Sequence, residues 1–319
     1  MQGLLAVYRK ELADHFSSYR FIILFALIAM VAFITSYMAG INLRENLEGV
    51  AKPKFIFLML FNLPGALFSL VQFVAFFGPL IGLILGFDTI NRERAHGTLI
   101  KLISQPIFRD SVINGKFLAG VTTIAIMLVS IVLVISGFGL ILLGVVPGLE
   151  EIWRLIVYLI ISIFYISFWL GVSILFSIIF RSIATSALIS VAIWIFLSFF
   201  VSMGASVLAN SIAPVENREK ATQEMIIKNN KIEESISLTS PMVLYSKASS
   251  TIIDPTQNTT SSLILMGPME RLSASRFQSP LSLGQSLVVV YPHLVVLIAI
   301  TLVCFALSYL IFMTQEIRT

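Results

Sequence analysis

Six long apolar runs constrain the fold of this chain more than any other feature of its sequence. Each holds about 20 to 30 residues, so a helix rising 1.5 Å per residue can carry it across a hydrocarbon layer of about 30 Å. Backbone groups in lipid must be hydrogen-bonded within the segment, and the runs lack the alternation of barrel strands. The sequence therefore predicts an all-α polytopic membrane protein with six transmembrane helices in a single transmembrane domain, 1–319. The runs cover about 21–40, 63–87, 117–146, 153–180, 184–208 and 286–313.

The composition excludes both an ordinary soluble domain and a nucleic-acid-binding one. Hydrophobic residues make up 57% of the chain and charged residues 12%, against about 25% charged in an average soluble domain. The basic residues behind the net charge of +4 are scattered over the segments between runs, so we expect no nucleic acid partner. The single cysteine, Cys304, lies within an apolar run, which excludes an intrachain disulfide and the Cys-x-x-Cys spacing of zinc sites. We expect no metal site.

The distribution of Lys and Arg over the short loops predicts the orientation in the membrane. Ten of them lie on the side of the N-terminus and four in the short loops of the other side, and the basic side is normally cytoplasmic. The segment 209–285 does not enter this count, since loops beyond about 60 residues do not steer insertion. We therefore expect a multi-pass plasma-membrane protein with both termini in the cytoplasm. The ten residues are Arg9, Lys10, Arg20, Arg92, Arg94, Lys101, Arg109, Lys116, Arg181 and Arg318, and the four are Arg44, Lys52, Lys54 and Arg154.

Residues 1–20 have the pattern of an amphipathic helix. Apolar residues recur on one face at helical spacing and charged residues occupy the other. Such a helix is expected to lie along the inner membrane surface as an elbow and to bend into the first span at about Ser17-Ser18. The alternative is a frayed tail. The apolar face consists of Leu4, Leu5, Tyr8, Leu12 and Phe16, and the polar face of Arg9, Lys10, Glu11 and Asp14.

The segment 209–285 is the one sizeable piece outside the predicted spans. Residues 216–236 read as an exposed amphipathic helix, and Ser240-Pro241 offers an N-cap and first-turn proline for a second. The segment has too few apolar residues for an independent core. We therefore predict a small extracytoplasmic cap of helices lying against the outer membrane surface.

The sequence lacks the signs of an enzyme. A phosphate-binding loop needs Gly-x-x-x-x-Gly-Lys followed by Ser or Thr, but Gly115-Lys116 is followed by Phe117 and has no correctly spaced glycine before it. An intramembrane enzyme would show ionisable groups at membrane depth, and His293 is the one histidine within a predicted span. A contact between helices explains His293 better than catalysis does. We predict a chain without catalytic residues, and keep an intramembrane enzyme as an alternative.

Weakly polar residues inside the spans are candidates for a translocation path. No Asp or Glu lies deep in any predicted span, which argues against coupling to protons or ions. Serines and other small polar residues in spans usually mediate helix packing, and packing is the alternative reading here. The candidates are Gln72, Trp194, Ser198 and Ser202.

The loop 89–116 between the second and third spans is the most informative stretch. It uses nearly thirty residues, where a connection between helices needs about 2 to 8. Within it Leu99, Leu102 and Ile103 share one helical face that is closed by Pro106. A short helix that is apolar on one face suits docking to a cytoplasmic partner, whereas the alternative is a solvated connector.

Here the sequence resembles a family, the permease subunits of type 2 ATP-binding-cassette (ABC) transporters, the exporter-like group with six spans. An elbow-helix core at Lys10, Glu11 and Leu12 and a Ser-Pro followed by an aromatic, Tyr245, add to the resemblance. The loop residues that carry it are Glu93, Arg94, Gly97, Thr98, Leu99, Leu102, Pro106, Arg109, Gly115 and Lys116.

The resemblance implies a division of labour between chains. The loop helix, including Ile103, would be the coupling helix that docks on a separate cytoplasmic ATPase, present in two copies that bind ATP and magnesium. This chain would hold no cofactor and would pair with a second copy of itself or a homologous permease among membrane lipids. Within the family it is similar to the permeases of the nitrous oxide reductase copper-maturation cluster, although 209–285 is longer than in a minimal member. Export of a substrate is the implied function. Force transmission to an extracytoplasmic partner is the alternative.

Overall fold

The computed structural model describes residues 2–47, 55–62, 69–99, 107–144, 146–214, 223–254 and 280–315. Within these ranges the regular structure is helical throughout. A 3₁₀ turn covers Leu58–Leu60, and a π-helical segment, Phe196–Phe200, joins two α-helices. The α-helices are α1 (Gln2–Ser17), α2 (Tyr19–Leu47), α3 (Leu70–Gly86), α4 (Asn91–Ala95), α5 (Arg109–Leu143), α6 (Leu149–Ile179), α7 (Ile183–Ile195), α8 (Val201–Ile212), α9 (Gln223–Ser237), α10 (Pro241–Ile253) and α11 (Leu283–Thr314).

The six predicted spans are confirmed. Six stretches of the described chain are long and apolar enough to cross a membrane. The second begins later than the predicted residue 63, because Ser69 caps α3 at its first turn, and 63–68 lie outside the described residues. The stretches are Tyr19–Ile41, Leu70–Ala95, Arg109–Ile141, Leu149–Ile179, Ile183–Ile212 and Leu283–Thr314.

The helix α6 forms the centre of the bundle. It packs against α3, α5, α7, α10 and α11. Its most apolar window is 67% buried, whereas the corresponding windows of Ile183–Ile212 and Tyr19–Ile41 are 17% and 22% buried. Helices α2, α7 and α8 therefore expose apolar side chains to lipid or to a partner.

Three glycines allow α3 to approach α6 closely. Gly78, Gly82 and Gly86 follow one another at intervals of four residues and so share one face of α3. A Cβ atom on Gly82 would lie 2.6 Å from the backbone oxygen of Ile166. The hydroxyl of Ser173 donates a hydrogen bond of 3.2 Å to the Gly82 carbonyl. Small residues at this spacing are how membrane helices bring their backbones together.

A tyrosine of α6 compensates for the proline inside α3. Pro79 has no N–H, so the carbonyl of Ala75 one turn earlier lacks its usual helical donor. The hydroxyl of Tyr165 donates to that carbonyl at 2.7 Å. The bond satisfies a buried acceptor and fixes the register of α6 against α3.

One helix of the 209–285 segment, α10, differs from the predicted surface cap, while 215–222 and 255–279 lie outside the described residues. Helix α10 begins at Pro241 as predicted, but it packs inside the bundle against α3, α6 and α11. Its Tyr245 stacks on Tyr165, midway along α6, with ring centroids 4.3 Å apart. Helix α9 lies along α8, where Asn229 donates to Asn210 and to the Ala213 carbonyl. The apolar side chains of α10 are better buried here than at a membrane surface.

Arg154 was expected among the short outer loops, but it is buried within the first turns of α6. Its guanidinium donates to the carbonyls of Ile252 and Leu281 at 3.0 and 2.6 Å, and to the Ser286 hydroxyl at 3.2 Å. It also pairs with Glu150 at 3.0 Å. One side chain thus joins α6, α10 and the start of α11 at the end of the bundle that we call the distal end.

Candidate functional site

The opposite end, which we call the terminal end, holds a network of charges joining three elements. Helix α1, helix α4 and the first turns of α5 meet there. Lys116 of α5 lies 2.7 Å from Glu11 of α1 and 3.5 Å from Glu93 of α4. Lys10 of α1 lies 2.9 Å from each of the same two carboxylates, and Asp14 pairs with Lys10 at 3.2 Å. We call Lys10, Glu11, Asp14, Glu93 and Lys116 the elbow cluster.

The centre of the elbow cluster is buried. The side chains of Lys116 and Glu11 are 2% and 9% exposed. Burial by itself raises the pKa of Glu11, but the charges and hydrogen bonds of Lys116 and Lys10 outweigh it and lower that pKa. Burial likewise lowers the pKa of Lys10, and its bonds to Glu11 and Glu93 reverse the shift and raise it. The ion pairs of Glu11 with Lys116 and of Lys10 with Glu11 and Glu93 therefore persist at neutral pH.

The packed face of α1 overlaps the predicted one only in part, since Tyr8 donates to Thr122 of α5 at 3.1 Å. Gly3, Val7 and Glu11 face α5 at helical spacing, whereas Leu5 of the predicted apolar face is 45% exposed. Val7 fits against Gly115, where an added Cβ would meet it at 2.9 Å. A helix over Gln2–Ser17 that ends before α2 agrees with the sequence pattern; its position along the membrane surface stays a prediction. Glu11, predicted on the polar face, is buried instead because it pairs with Lys116.

Of the predicted coupling residues, Leu99, Glu93 and Lys116 face inward, and Lys116 lies at the centre of the elbow cluster. Leu99 is 1% exposed and packs in the core. Glu93 accepts a hydrogen bond from the Thr98 hydroxyl and belongs to the elbow cluster. Gly97 has a positive φ of 67°, which ends α4 and turns the chain toward Thr98. Leu102, Ile103 and Pro106 lie outside the described residues.

Other predicted residues attach this end to the last helix. Arg94 donates to the Gln315 side-chain oxygen at 3.0 Å, and Arg109 to the Gln315 carbonyl at 3.3 Å. The backbone N–H groups of Ile90 and Asn91 both donate to Ser177 of α6, at 3.0 and 3.1 Å. Sequence reasoning missed Gln315 and Ser177, because no local pattern marks a residue that receives a contact from a distant loop.

Between Asn91 and Leu99 the chain exposes a short stretch at and after the end of α4. Ala95, His96, Gly97 and Thr98 are exposed, while Asn91 and Leu99 on either side are buried. Sequence reasoning missed Ala95 and His96 because it looked for an apolar face. We call residues 95–98 the exposed tip.

A further ion pair, separate from the elbow cluster, joins the start of α2 to the residues just after α3 at the terminal end. Arg20 of α2 lies 2.5 Å from Asp88, just after α3, and stands over the Phe87 ring at 5.3 Å. Arg20 lies at the start of α2, and Asp88 follows the end of α3 by two residues. Together with the elbow cluster they border a cavity of about 670 Å³.

The structure brings two of the four predicted path residues together. Trp194 and Ser198 are buried one turn apart at the π-helical segment, with the Trp194 ring 5.6 Å from Phe76. Gln72 is committed to the capping box with Ser69, and Ser202 is half-buried. Whether these four residues line a path stays a prediction. His293 is half-buried in α11, and the described residues contain no group of three or more metal-binding side chains.

Comparison with known proteins decides the family. A sequence model described as ABC-2 family transporter protein matches residues 5–317. The chain belongs to the ABC-2 transporter family. It is also 34% identical over 92 residues to a probable ABC transporter permease protein NosY of Pseudomonas aeruginosa, and 33% identical over 92 residues to its namesake in Stutzerimonas stutzeri. Each match covers 28% of this chain and 31% of the relative, so the chain matches less than a third of these relatives' length. It is thus a multi-pass membrane subunit of an ABC transporter.

Proposed function

We propose that this ABC-2 chain is an export permease driven by a separate cytoplasmic ATPase, two copies of which bind ATP and magnesium. The observation that carries the proposal is the connection of one short helix, α4, to four others. The elbow cluster joins α4 to α1 and α5, Arg94 joins it to Gln315 after α11, and Ser177 joins its start to α6. A displacement of α4 therefore reaches helices throughout the bundle.

The exposed tip is the surface on which the ATPase would dock. It follows α4 directly, and Thr98 is hydrogen-bonded to Glu93 of the elbow cluster. A push on the tip then passes through Glu93 to both lysines. Docking at the tip places the terminal end, and with it both chain termini, in the cytoplasm, where ATP is available.

The chain's one Gly-Lys pair supports an ATPase in another polypeptide. Gly115 and Lys116 lie inside α5, not in a loop, and Gly115 is covered by Val7. Lys116 is 2% exposed and already paired with Glu11. Neither can cradle a phosphate, which requires a loop with free N–H groups and a lysine at the surface.

A second copy of the chain, or a homologous permease, would complete the path. Helices α7 and α8 and the π-helical segment between them bury chiefly small or polar side chains, among them Ser186, Ser190 and Ser198, and expose bulky apolar ones outward. A partner packed on the outward face would enclose a space between the two copies, beside the helices that bury Trp194 and Ser198. The substrate would pass between the two copies.

A second candidate function is force transmission to an extracytoplasmic partner without transport. The packing of α10 favours it, since Tyr245 stacks on Tyr165 in mid-bundle and Arg154 holds Ile252. This insertion would close a path through the distal end and carry motion of α6 to the distal surface.

Docking is tested by substitution on the exposed tip. Ala95→Glu should reduce co-purification of the cassette ATPase expressed with this chain, because it places a new charge in the contact. Ala184→Glu is the control, since Ala184 is also exposed at the terminal end but lies on α7. Equal recovery of the ATPase with both variants would contradict docking at the tip. Substitution of Leu99 would not serve, because that side chain is buried in the chain's own core.

Transport is tested separately in vesicles that hold the complex. ATP hydrolysis with no ATP-dependent change in vesicle contents, combined with an ATP-dependent change in protease access to α9, would favour force transmission.

A further inference from the structure

The cavity at the terminal end has the composition of a binding site for a zwitterionic group. It measures about 670 Å³, within the range of about 300 to 1,000 Å³ typical of small-molecule sites. Four cationic and four anionic side chains line it, and they balance. The cations are Lys10, Arg20, Arg92 and Lys116, and the anions are Glu11, Asp14, Asp88 and Glu93.

Most of these charges are committed to one another. Glu11 and Glu93 are held by two lysines each, and Asp88 is held by Arg20. Two charges remain accessible. Asp14 has one partner, Lys10 at 3.2 Å, and its side chain is 60% exposed. The Arg92 side chain has no ion-pair partner among the described residues and is exposed. The cavity therefore offers one available cation and one available anion.

The position of the cavity indicates a lipid and not a soluble metabolite. Arg20 lies in the first turn of α2 and Asp88 lies two residues after the end of α3, so the cavity lies at the level of the headgroups. Its wall includes Tyr19, which is 82% exposed, and Phe21. Aromatic side chains at this level are typical of the membrane interface. An acyl chain can leave the cavity along these rings into the bilayer.

We propose that this cavity binds the headgroup of a phosphatidylethanolamine-type lipid. The phosphate is bound by Arg92, and the primary ammonium donates hydrogen bonds to Asp14. A purely anionic headgroup could also meet Arg92, but it has no ammonium to pair with Asp14. A choline headgroup has no N–H to donate to Asp14. The bound lipid would fill the space between α1 and α4 and hold the elbow against the exposed tip.

The test measures lipid retention by native mass spectrometry of the full chain, with phosphatidylethanolamine, phosphatidylcholine or phosphatidylglycerol added. We expect phosphatidylethanolamine to bind most tightly. Arg92→Gln should weaken it about fivefold, the factor for one basic contact at a phosphate surface, and Asp14→Asn should bring its affinity down to that of phosphatidylcholine. Thr89→Phe, which fills the cavity without changing charge, should abolish the preference. Arg181→Gln is the matched control, since Arg181 is exposed at the same end and does not line the cavity.

Three results would overturn the proposal. Equal binding of phosphatidylcholine would remove the role of the ammonium, and stronger binding of phosphatidylglycerol would indicate simple attraction of anions. Equal losses in Arg92→Gln and Arg181→Gln would show that the effect is one of surface charge. Soluble phosphoethanolamine forms a further arm. If it displaces the lipid completely at equal concentration, the headgroup chemistry stands and the lipid source is wrong.

Discussion

Replacing Gly82 with alanine tests whether the α3–α6 contact is set by backbone approach. The added Cβ would lie 2.6 Å from the Ile166 oxygen and 2.8 Å from the Leu170 nitrogen, both backbone atoms. Ordinary contact begins near 3.4 Å, so the helices must separate by about 0.8 Å. A gap of that size forfeits about a quarter to a half of each van der Waals contact along the seam. We expect a net loss of about 1 to 3 kcal/mol in the free energy of unfolding, as for other overpacked cores.

Two further glycines supply the controls. A Cβ on Gly120 would also meet an atom at 2.6 Å, but that atom is the end of the Leu170 side chain, which can rotate away. A Cβ on Gly204 would meet nothing within 4 Å. We therefore expect Gly120→Ala to lower the free energy of unfolding by less than Gly82→Ala does. Gly204→Ala should be neutral or stabilising by up to about 1 kcal/mol, since alanine is the better helix former.

The assay is reversible unfolding in mixed micelles, followed by circular dichroism for all three variants. The predicted order of stability is Gly204→Ala, then Gly120→Ala, then Gly82→Ala. If Gly82→Ala is as stable as Gly204→Ala, the two backbones do not approach as described. If Gly120→Ala costs as much as Gly82→Ala, the distinction between backbone and side-chain atoms has no energetic meaning here.

Three further predictions concern buried charge. Lys116→Met should lower the free energy of unfolding by about 3 to 5 kcal/mol, because it leaves carboxylates buried without their main partner, and adding Glu11→Met should restore part of that loss in the same assay. The pKa of Glu11 is lowered, so the stability that Glu11 contributes is complete above its ordinary pKa of 4.5 and is lost as pH falls through its lowered pKa. Burial also lowers the pKa of His15 from 6.5, so the free energy of unfolding should begin to decline as pH falls below about 6.5. His15→Gln should remove the decline that begins at 6.5 and leave the decline due to Glu11. Arg154→Lys should lower the midpoint of thermal unfolding although the charge is kept, because a lysine cannot bond two carbonyls and a hydroxyl in the geometry of a guanidinium, and a midpoint unchanged from that of Arg181→Lys would contradict its role at the distal end.

The spans could be predicted from the sequence because their physical cause is local. A run of apolar residues such as 153–180 must be helical in lipid whatever it packs against. The end of α1 at Ser17 and the start of α10 at Pro241 likewise depend on neighbouring residues. These features came out as predicted.

Features that depend on distant partners could not be predicted. Glu11 looks like a surface residue until Lys116, 105 positions later, is placed beside it. Arg154 looks like a loop charge until the carbonyls of Ile252 and Leu281 converge on it. Helix α10 has no sequence signal for insertion, because its apolar content suits a membrane surface as well as a bundle interior. The spacing of Gly78, Gly82 and Gly86, in contrast, is visible in the sequence and could have predicted the close pairing of α3 with another helix.

The elbow cluster also orders the assembly of the protein during its synthesis. Helix α1 leaves the ribosome before its distant partners in the cluster, Glu93 and Lys116, which are made only after α2 and α3. Until then Glu11 has no distant lysine and remains in water with Lys10. Helix α1 can therefore dock through Glu11 only after α5, which carries Lys116, has reached its final position. A chain interrupted before Glu93 would leave α1 without either distant partner and accessible to the quality-control proteases of the cell.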